Sequence, residues 1–156
     1  MFKINYLKLT LSLLICQAVG VIGSFFTVVS INTWYFELNK PSFNPPNWIF
    51  SPVWITLFVM MGLSLYLIWN KKIVSKIAIS LFGIQLLLNL LWSILFFGLK
   101  SPLFAMIEIV FLWITILITT IYFYKISKNA AYLLIPYLLW VSFAAILNFF
   151  LYFLNI

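Results

Sequence analysis

The sequence contains no histidine, arginine or aspartate, and its only acidic residues are Glu37 and Glu108. Without histidine, the chain cannot assemble the Ser-His-Asp or Cys-His units of common nucleophilic enzymes. One cysteine, Cys16, and two separated carboxylates are too few for a zinc, calcium or haem-iron site. The sequence therefore predicts no metal site and no cofactor. A single cysteine forms no internal disulfide, so cysteine usage does not show whether the protein lies in an oxidising or a reducing compartment.

Charged residues are also scarce, at 7% of the 156 residues, whereas soluble domains carry about 25%. Hydrophobic residues make up 66%, and the mean hydropathy is +1.20. This composition excludes a water-soluble globular protein. The net charge of +7 comes from nine lysines that fall between apolar runs, as they do beside membrane helices. Nucleic-acid binding is therefore not expected.

The apolar residues form five long runs, and a membrane-crossing helix needs about 20 such residues. Five crossings use most of the chain, so the sequence predicts an all-α membrane protein, a five-transmembrane-helix bundle, as one domain over residues 1–156. No run alternates polar and apolar residues, which argues against a transmembrane barrel. The predicted helices cover about residues 7–31, 48–69, 73–99, 103–124 and 130–154.

The first run has a second interpretation, a secretory signal. Lys3 and Lys8 precede an apolar stretch, and Ala18-Val19-Gly20 has the composition of a cleavage site. Apolar residues continue well beyond Gly20, however, for longer than the apolar core of a signal. We therefore expect a retained helix.

The distribution of lysines predicts the orientation in the membrane. With five crossings, the N-terminus and the second and fourth links lie on one side, which carries seven of the nine lysines. We therefore expect a cytoplasmic N-terminus and a C-terminus on the opposite side. The expected location of this integral membrane protein is the plasma membrane of a prokaryote. The seven are Lys3, Lys8, Lys71, Lys72, Lys76, Lys125 and Lys128, and the other two are Lys40 and Lys100.

Only one link is long, residues 32–47. Its three prolines predict a stiff, non-helical segment, and Trp34 and Tyr35 suit a membrane interface. Two interpretations are open. The link is either a connector anchored by its aromatic residues or a lid over the mouth of a pocket in the bundle.

Three of the predicted helices each present one face that combines aromatic and polar side chains. Polar groups within a membrane turn toward the bundle interior, where they act as hydrogen-bonding links between helices or line a pocket for a flat apolar ligand. The spacing leaves both interpretations open. The faces are Ser51, Trp54, Phe58, Met61, Leu65 and Trp69; Gln85, Asn89, Trp92 and Phe96; and Pro136, Trp140, Ala144 and Asn148.

Two further features have more than one interpretation. Glu108 lies about two turns inside the fourth run, where it is protonated, paired with a lysine or exposed to a wet cavity. Small residues recur at every fourth position of the first run and permit close approach of a helix from the same chain or from a second subunit. They are Ser12, Cys16, Gly20 and Ser24.

Several motifs, taken in order, resemble the translocator protein family, whose bacterial members are called tryptophan-rich sensory proteins and whose mitochondrial members are called peripheral-type benzodiazepine receptors. One departure is Phe43, which stands where the family usually has tryptophan. The motifs are WYFELNKPSFNPP at 34–46, FSPVW at 50–54, MG at 61–62, YLIW at 66–69, QxxxNxxWS at 85–93, FFG at 96–98, LLIPYLLW at 133–140, FA at 143–144 and LN at 147–148.

The resemblance implies a five-helix bundle, commonly a homodimer, with a pocket beneath the loop between the first two helices. It implies a membrane binding or sensory protein for tetrapyrroles such as protoporphyrin IX and related hydrophobic ligands, with amides or Lys40 meeting the propionates. The alternatives are light-dependent porphyrin degradation through Trp54 and Trp140, or transport of tetrapyrroles or sterols. The predicted binding residues are Trp34, Phe43, Trp54, Phe58, Gln85, Asn89, Trp92, Trp140, Ala144 and Asn148.

Overall fold

The computed structural model describes residues 4–71 and 75–156, and all regular structure in these two stretches is helical. Five helical spans are long and apolar enough to cross a membrane, which confirms the predicted fold class. The predicted third-helix start at residue 73 lies outside the described residues, as do Lys3 and Lys72. The elements are α1 (Tyr6–Ile31), α2 (Trp34–Glu37), α3 (Asn47–Trp69), α4 (Lys76–Ser93), a π-helical segment (Ile94–Gly98), α5 (Pro102–Ile126) and α6 (Lys128–Phe153).

The local sequence explains where three of the long helices begin. Asn5, Ser75 and Ser101 precede α1, α4 and α5, and each side-chain oxygen accepts a hydrogen bond from the amide three residues later. Such caps satisfy one of the free N–H groups of a first helical turn. Pro102 follows at the first position of α5, where its missing N–H costs no helical hydrogen bond.

Hydrogen bonds between helices fix one end of the bundle, which we call the lysine end. The Lys8 ammonium donates to the carbonyl oxygen of Trp69 at 2.9 Å, and the Ser64 hydroxyl donates to that of Ala130 at 2.7 Å. The lysine end therefore contains the starts of α1, α4 and α6 and the ends of α3 and α5. Its described lysines are Lys8, Lys71, Lys76, Lys125 and Lys128.

The opposite end carries the long link and is called the loop end here. The link contains one helical turn, α2, so the expectation of a wholly non-helical link is wrong. A proline restricts its own backbone and that of the residue before it. Pro41 therefore leaves Trp34–Glu37 free to form a turn, whereas no helix forms between Glu37 and Asn47.

Glycines bring α1 and α3 into close contact. A Cβ atom added to Gly20 would lie 2.6 Å from the ring of Phe58, and one added to Gly62 would lie 2.9 Å from the Cα atom of Leu13. Gly20 of the small-residue stripe therefore packs against α3 of the same chain. Backbone atoms that approach this closely leave no space for a larger residue.

This contact predicts opposite effects for one substitution at two glycines. Gly62→Ala forces α1 away from α3 and should destabilise the fold by about 1–3 kcal/mol. Gly83→Ala is the matched control, because a Cβ there meets nothing within 4 Å and alanine favours a helix more than glycine does. Thermal unfolding of both purified variants in detergent measures the difference. A Gly62→Ala protein as stable as the wild type would contradict the proposed helix contact.

Candidate ligand cavity between the helices

A cavity of about 390 Å³ lies between α1, α3, α4 with its π-helical segment, and α6, next to the loop that contains α2. Cavities that hold small molecules measure about 300–1,000 Å³ and combine apolar walls with a few polar groups. This cavity fits both descriptions. Seven of the ten predicted binding residues form part of its wall, namely Trp54, Phe58, Asn89, Trp92, Trp140, Ala144 and Asn148.

The other three predicted residues lie outside the cavity wall. Trp34 packs edge-on against Phe96, with ring centroids 5.5 Å apart. Phe43 packs against Phe150 of α6, at 5.3 Å. Gln85 is buried one helical turn from Asn89, toward the lysine end. Their direct contact with a ligand stays a prediction, and their positions indicate supporting roles in the loop and the bundle.

Aromatic stacking fixes the rings of the wall. The Trp54 ring stacks on Phe58, with centroids 5.6 Å apart and planes at 29°. The Trp92 ring stacks on Phe96, at 5.0 Å and 13°. Trp140 completes the set from α6. Three indoles from three helices therefore border one space, and stacked neighbours limit the rotation of two of them.

Hydrogen bonds of the two wall amides join three helices, α4, α5 and α6. The Trp92 indole N–H donates to Asn148 Oδ1 at 3.1 Å, and Asn148 Nδ2 donates to the carbonyl oxygen of Pro102 at 2.9 Å. Asn89 Nδ2 donates to the Tyr137 hydroxyl at 3.0 Å. The amides thus link helices and also line the cavity. Asn148 uses both ends of its amide, whereas Asn89 has a second N–H and a carbonyl oxygen for a ligand.

Tyr35 closes the loop end of the cavity. Its side chain is only 2% exposed, and its ring lies 6.1 Å from that of Phe96 and 5.8 Å from that of Phe97. Its hydroxyl donates to Asn44 Oδ1 at 2.7 Å. Burial raises the pKa of Tyr35 to about 12, although the bond to Asn44 acts in the other direction. The phenol is therefore uncharged at neutral pH.

The loop is tied to the end of α6. The Asn39 amide N–H donates to Asn155 Oδ1 at 2.8 Å, and Asn155 Nδ2 donates to the Asn39 carbonyl oxygen at 2.9 Å. The Lys40 ammonium donates to the carbonyl oxygens of Phe36 and Leu38, at 2.8 and 3.0 Å. Lys40 therefore stabilises the loop and does not line the cavity, so its expected contact with propionates is not made from the wall.

The cavity is open on the side of α1 and α3. All wall residues that are exposed belong to these two helices, whereas wall residues from α4 and α6 are buried or half-buried. On the lysine-end side of this opening, Gln17 Nε2 donates to the carbonyl oxygen of Ile55 at 3.2 Å and joins the two helices. The opening faces the surface that would meet lipid. The exposed wall residues are Val21, Ser24, Val28, Ser51 and Ile55.

Sequence reasoning missed the contributions of Tyr35 and of α1. The motif at 34–46 contains both Trp34 and Tyr35, and only the helical turn of α2 decides that Tyr35 turns inward. The sequence feature of α1 that could have indicated a cavity wall is its stripe of small residues, which we interpreted as a packing surface. Two of its members, Gly20 and Ser24, border the cavity.

Gln85 and Glu108 are buried polar side chains that lie outside the cavity. Within residues 4–71 and 75–156, no group forms a hydrogen bond with the terminal nitrogen or oxygen atoms of either side chain. The predicted pairing of Glu108 with a lysine is therefore not observed among these residues. Glu108 also does not line the cavity, so neither of these two alternatives is observed among the described residues.

Comparison with known proteins supports the resemblance drawn from the motifs. The family model described as TspO/MBR family matches residues 12–154. The tryptophan-rich protein TspO of Archaeoglobus fulgidus is 47% identical over 152 residues, which cover 97% of this chain and 99% of that protein. The protein of the same name from Chlorobaculum tepidum is 50% identical over 147 residues, 92% of each.

A more distant relative is the human translocator protein, which is 36% identical over 132 residues, 82% of this chain and 78% of that protein. The family match covers most of the chain, and the two prokaryotic relatives match it almost from end to end. The family predicted from the motifs is therefore confirmed: the chain belongs to the TspO/MBR family.

Proposed function

We propose that this integral membrane protein binds a flat hydrophobic ligand of the tetrapyrrole class, such as protoporphyrin IX, and acts as a binding or sensory protein. The observation that carries the proposal is the cavity bordered by the indoles of Trp54, Trp92 and Trp140. Planar aromatic faces are suited to a planar conjugated ring, because offset stacking and edge contacts are both favourable. The membrane sensory or binding role also fits the family.

The polar groups of the wall suit the carboxylate arms of such a ligand. Asn89 keeps a second amide N–H that no other described residue uses, and Ser51 lies at the open side of the cavity. Hydrogen bonds from neutral donors hold a carboxylate without burying a second charge. A ligand seated in this way would have its ring plane between the indoles and its arms near the opening.

The position of the opening supports entry from the bilayer. A porphyrin partitions into lipid, and the gap between α1 and α3 connects the cavity with that phase. The loop then acts as a lid over the loop end, with Tyr35 as its inward-facing side chain and Asn39 as its tie to α6. Phe43 supports the lid by packing on Phe143 and Phe150 of α6.

Titration of the purified protein with protoporphyrin IX tests the proposed site. The ligand should quench tryptophan fluorescence, and Trp54→Ala and Trp140→Ala should each weaken binding by about three- to tenfold, since an aromatic contact contributes about 0.5–1.5 kcal/mol. Trp48→Ala is the matched control, because Trp48 is 73% exposed and outside the cavity. Unchanged affinity in both cavity variants would rule the site out.

Light-dependent porphyrin degradation is the second candidate function. It is favoured by the presence of both Trp54 and Trp140 in one cavity wall, where an excited porphyrin would contact an oxidisable indole. This chemistry needs no acid–base residue, which suits a sequence without histidine. The two functions share one site and differ only in what illumination does to the bound ligand.

Illumination of the bound protoporphyrin distinguishes the two functions. If the indoles take part in degradation, Trp54→Phe and Trp140→Phe should slow the loss of ligand absorbance while keeping the ring contacts. Trp48→Phe should leave the rate unchanged. Equal rates in all four proteins, at equal ligand occupancy, would leave a binding protein without this activity.

We further propose that the lysine end faces the cytoplasm of a prokaryotic cell. Five described lysines lie at this end, and positively charged residues flank membrane helices on the cytoplasmic side. This orientation puts the loop and the cavity in the outer half of the bilayer. The homodimer implied by the resemblance stays a prediction.

A further inference from the structure

We propose that a groove on the outside of the bundle binds an acyl chain of one anionic phospholipid, with its headgroup at the lysine end. The groove has a volume of about 210 Å³ and lies between α1, α3 and α4, apart from the ligand cavity. The two spaces share no wall residue. The groove is lined chiefly by Ile15, Leu65, Trp69, Ile79, Phe82 and Gly83.

The groove has a rigid apolar floor and an open centre. Phe82 is buried and stacks on Phe123, with centroids 5.7 Å apart and planes at 9°. Leu65 is buried beside it. Above this floor, a Cβ atom added to Gly83 would meet nothing within 4 Å. The wall side chains carry no polar group except the indole N–H of Trp69, so the chemistry selects a hydrocarbon occupant.

The groove runs along the helices and starts near the lysine end. On α4 it extends from Ile79 to Leu86, about 10 Å at the rise of 1.5 Å per residue. Ile79 is three residues from Lys76, the first residue of the helix. A lipid chain lying along the membrane normal would therefore have its headgroup beside the first turn of α4.

Two lysines flank that position, and the chain supplies no carboxylate to balance them. The Lys8 ammonium donates to the Trp69 carbonyl oxygen and lies 6.0 Å from the Trp69 ring, at the end of the groove. Lys76 is exposed. Glu37 lies in α2 at the loop end, and Glu108 is buried in α5. A phosphate group from the bilayer complements this charge, as in other basic pockets between membrane helices.

A second copy of the chain fits this groove less well than a lipid does. Two copies in one membrane share their orientation, so a symmetric contact through the groove would bring two lysine ends together. Like charges that meet at an interface oppose association. With an anionic lipid, by contrast, the same lysines attract the headgroup and strengthen binding.

Native mass spectrometry of the purified protein, with phosphatidylglycerol and phosphatidylcholine of identical acyl chains in equal amounts, tests the proposal. One phosphatidylglycerol should bind in preference. Lys76→Gln should weaken its binding about fivefold, because a lysine near an anionic headgroup contributes about that factor. Gly83→Phe should abolish binding by filling the groove.

Two variants serve as matched controls. Ile84→Phe adds the same ring to the next, exposed residue of α4, outside the groove, and Lys100→Gln removes a lysine near the loop end. Both should bind phosphatidylglycerol like the wild type. Protoporphyrin titration of Gly83→Phe should match the wild type, so failure of this site and failure of the cavity give different results.

Three outcomes would overturn the proposal. Equal binding of the two lipids would show that the charge has no role. Phosphatidylglycerol binding retained by Gly83→Phe would show that the lipid binds elsewhere. A dimer that dissociates in Gly83→Phe while lipid binding stays unchanged would assign the groove to a second copy.

Discussion

The close packing of α1 against α3 determines where the cavity of this bundle begins. Gly62 lets the backbone of α1 approach near Leu13, and Gly20 seats the ring of Phe58. Toward the lysine end of this contact, the Lys8 ammonium joins the two helices by donating to the carbonyl oxygen of Trp69. Toward the loop end, α1 and α3 border the cavity from Gln17 and Phe58 onward. The cavity and its opening therefore both depend on a contact between two helices at positions where larger side chains do not fit.

The polar side chains of the interior have a structural and a proposed binding role at once. In hydrocarbon an amide needs a partner, and Asn148 finds two, on Trp92 and on the backbone at Pro102. These bonds hold the indole of Trp92 at the edge of the cavity. Interhelical linkage and pocket lining, which the spacing left as alternatives, are thus properties of the same residues. Loss of ligand affinity on replacing such an amide is informative only beside a measurement of stability.

Hydropathy alone predicted the helices, because the cost of leaving a backbone polar group unpaired in lipid permits little other structure there. The faces of α3, α4 and α6 were also readable, since residues three and four apart share a helix face. The spacing did not show how far along its helix each residue lies relative to the cavity. Gln85 shares a face with Asn89, yet it is one turn too far from the loop end to reach the cavity. Of the two neighbouring aromatic residues, Tyr35 lines the cavity and Trp34 does not, because the orientation of one short turn depends on its packing against Phe96 and Phe97, which no local pattern encodes.

The proposed binding mode has a planar ligand in the space between the three indoles, beneath Tyr35. An experimental structure of the protein saturated with protoporphyrin IX is the decisive measurement. We expect ligand density between Trp54, Trp92 and Trp140, with the propionates toward Asn89 or the gap between α1 and α3. Density only on the outer surface of the helices, or wall side chains that fill the space, would rule this binding mode out.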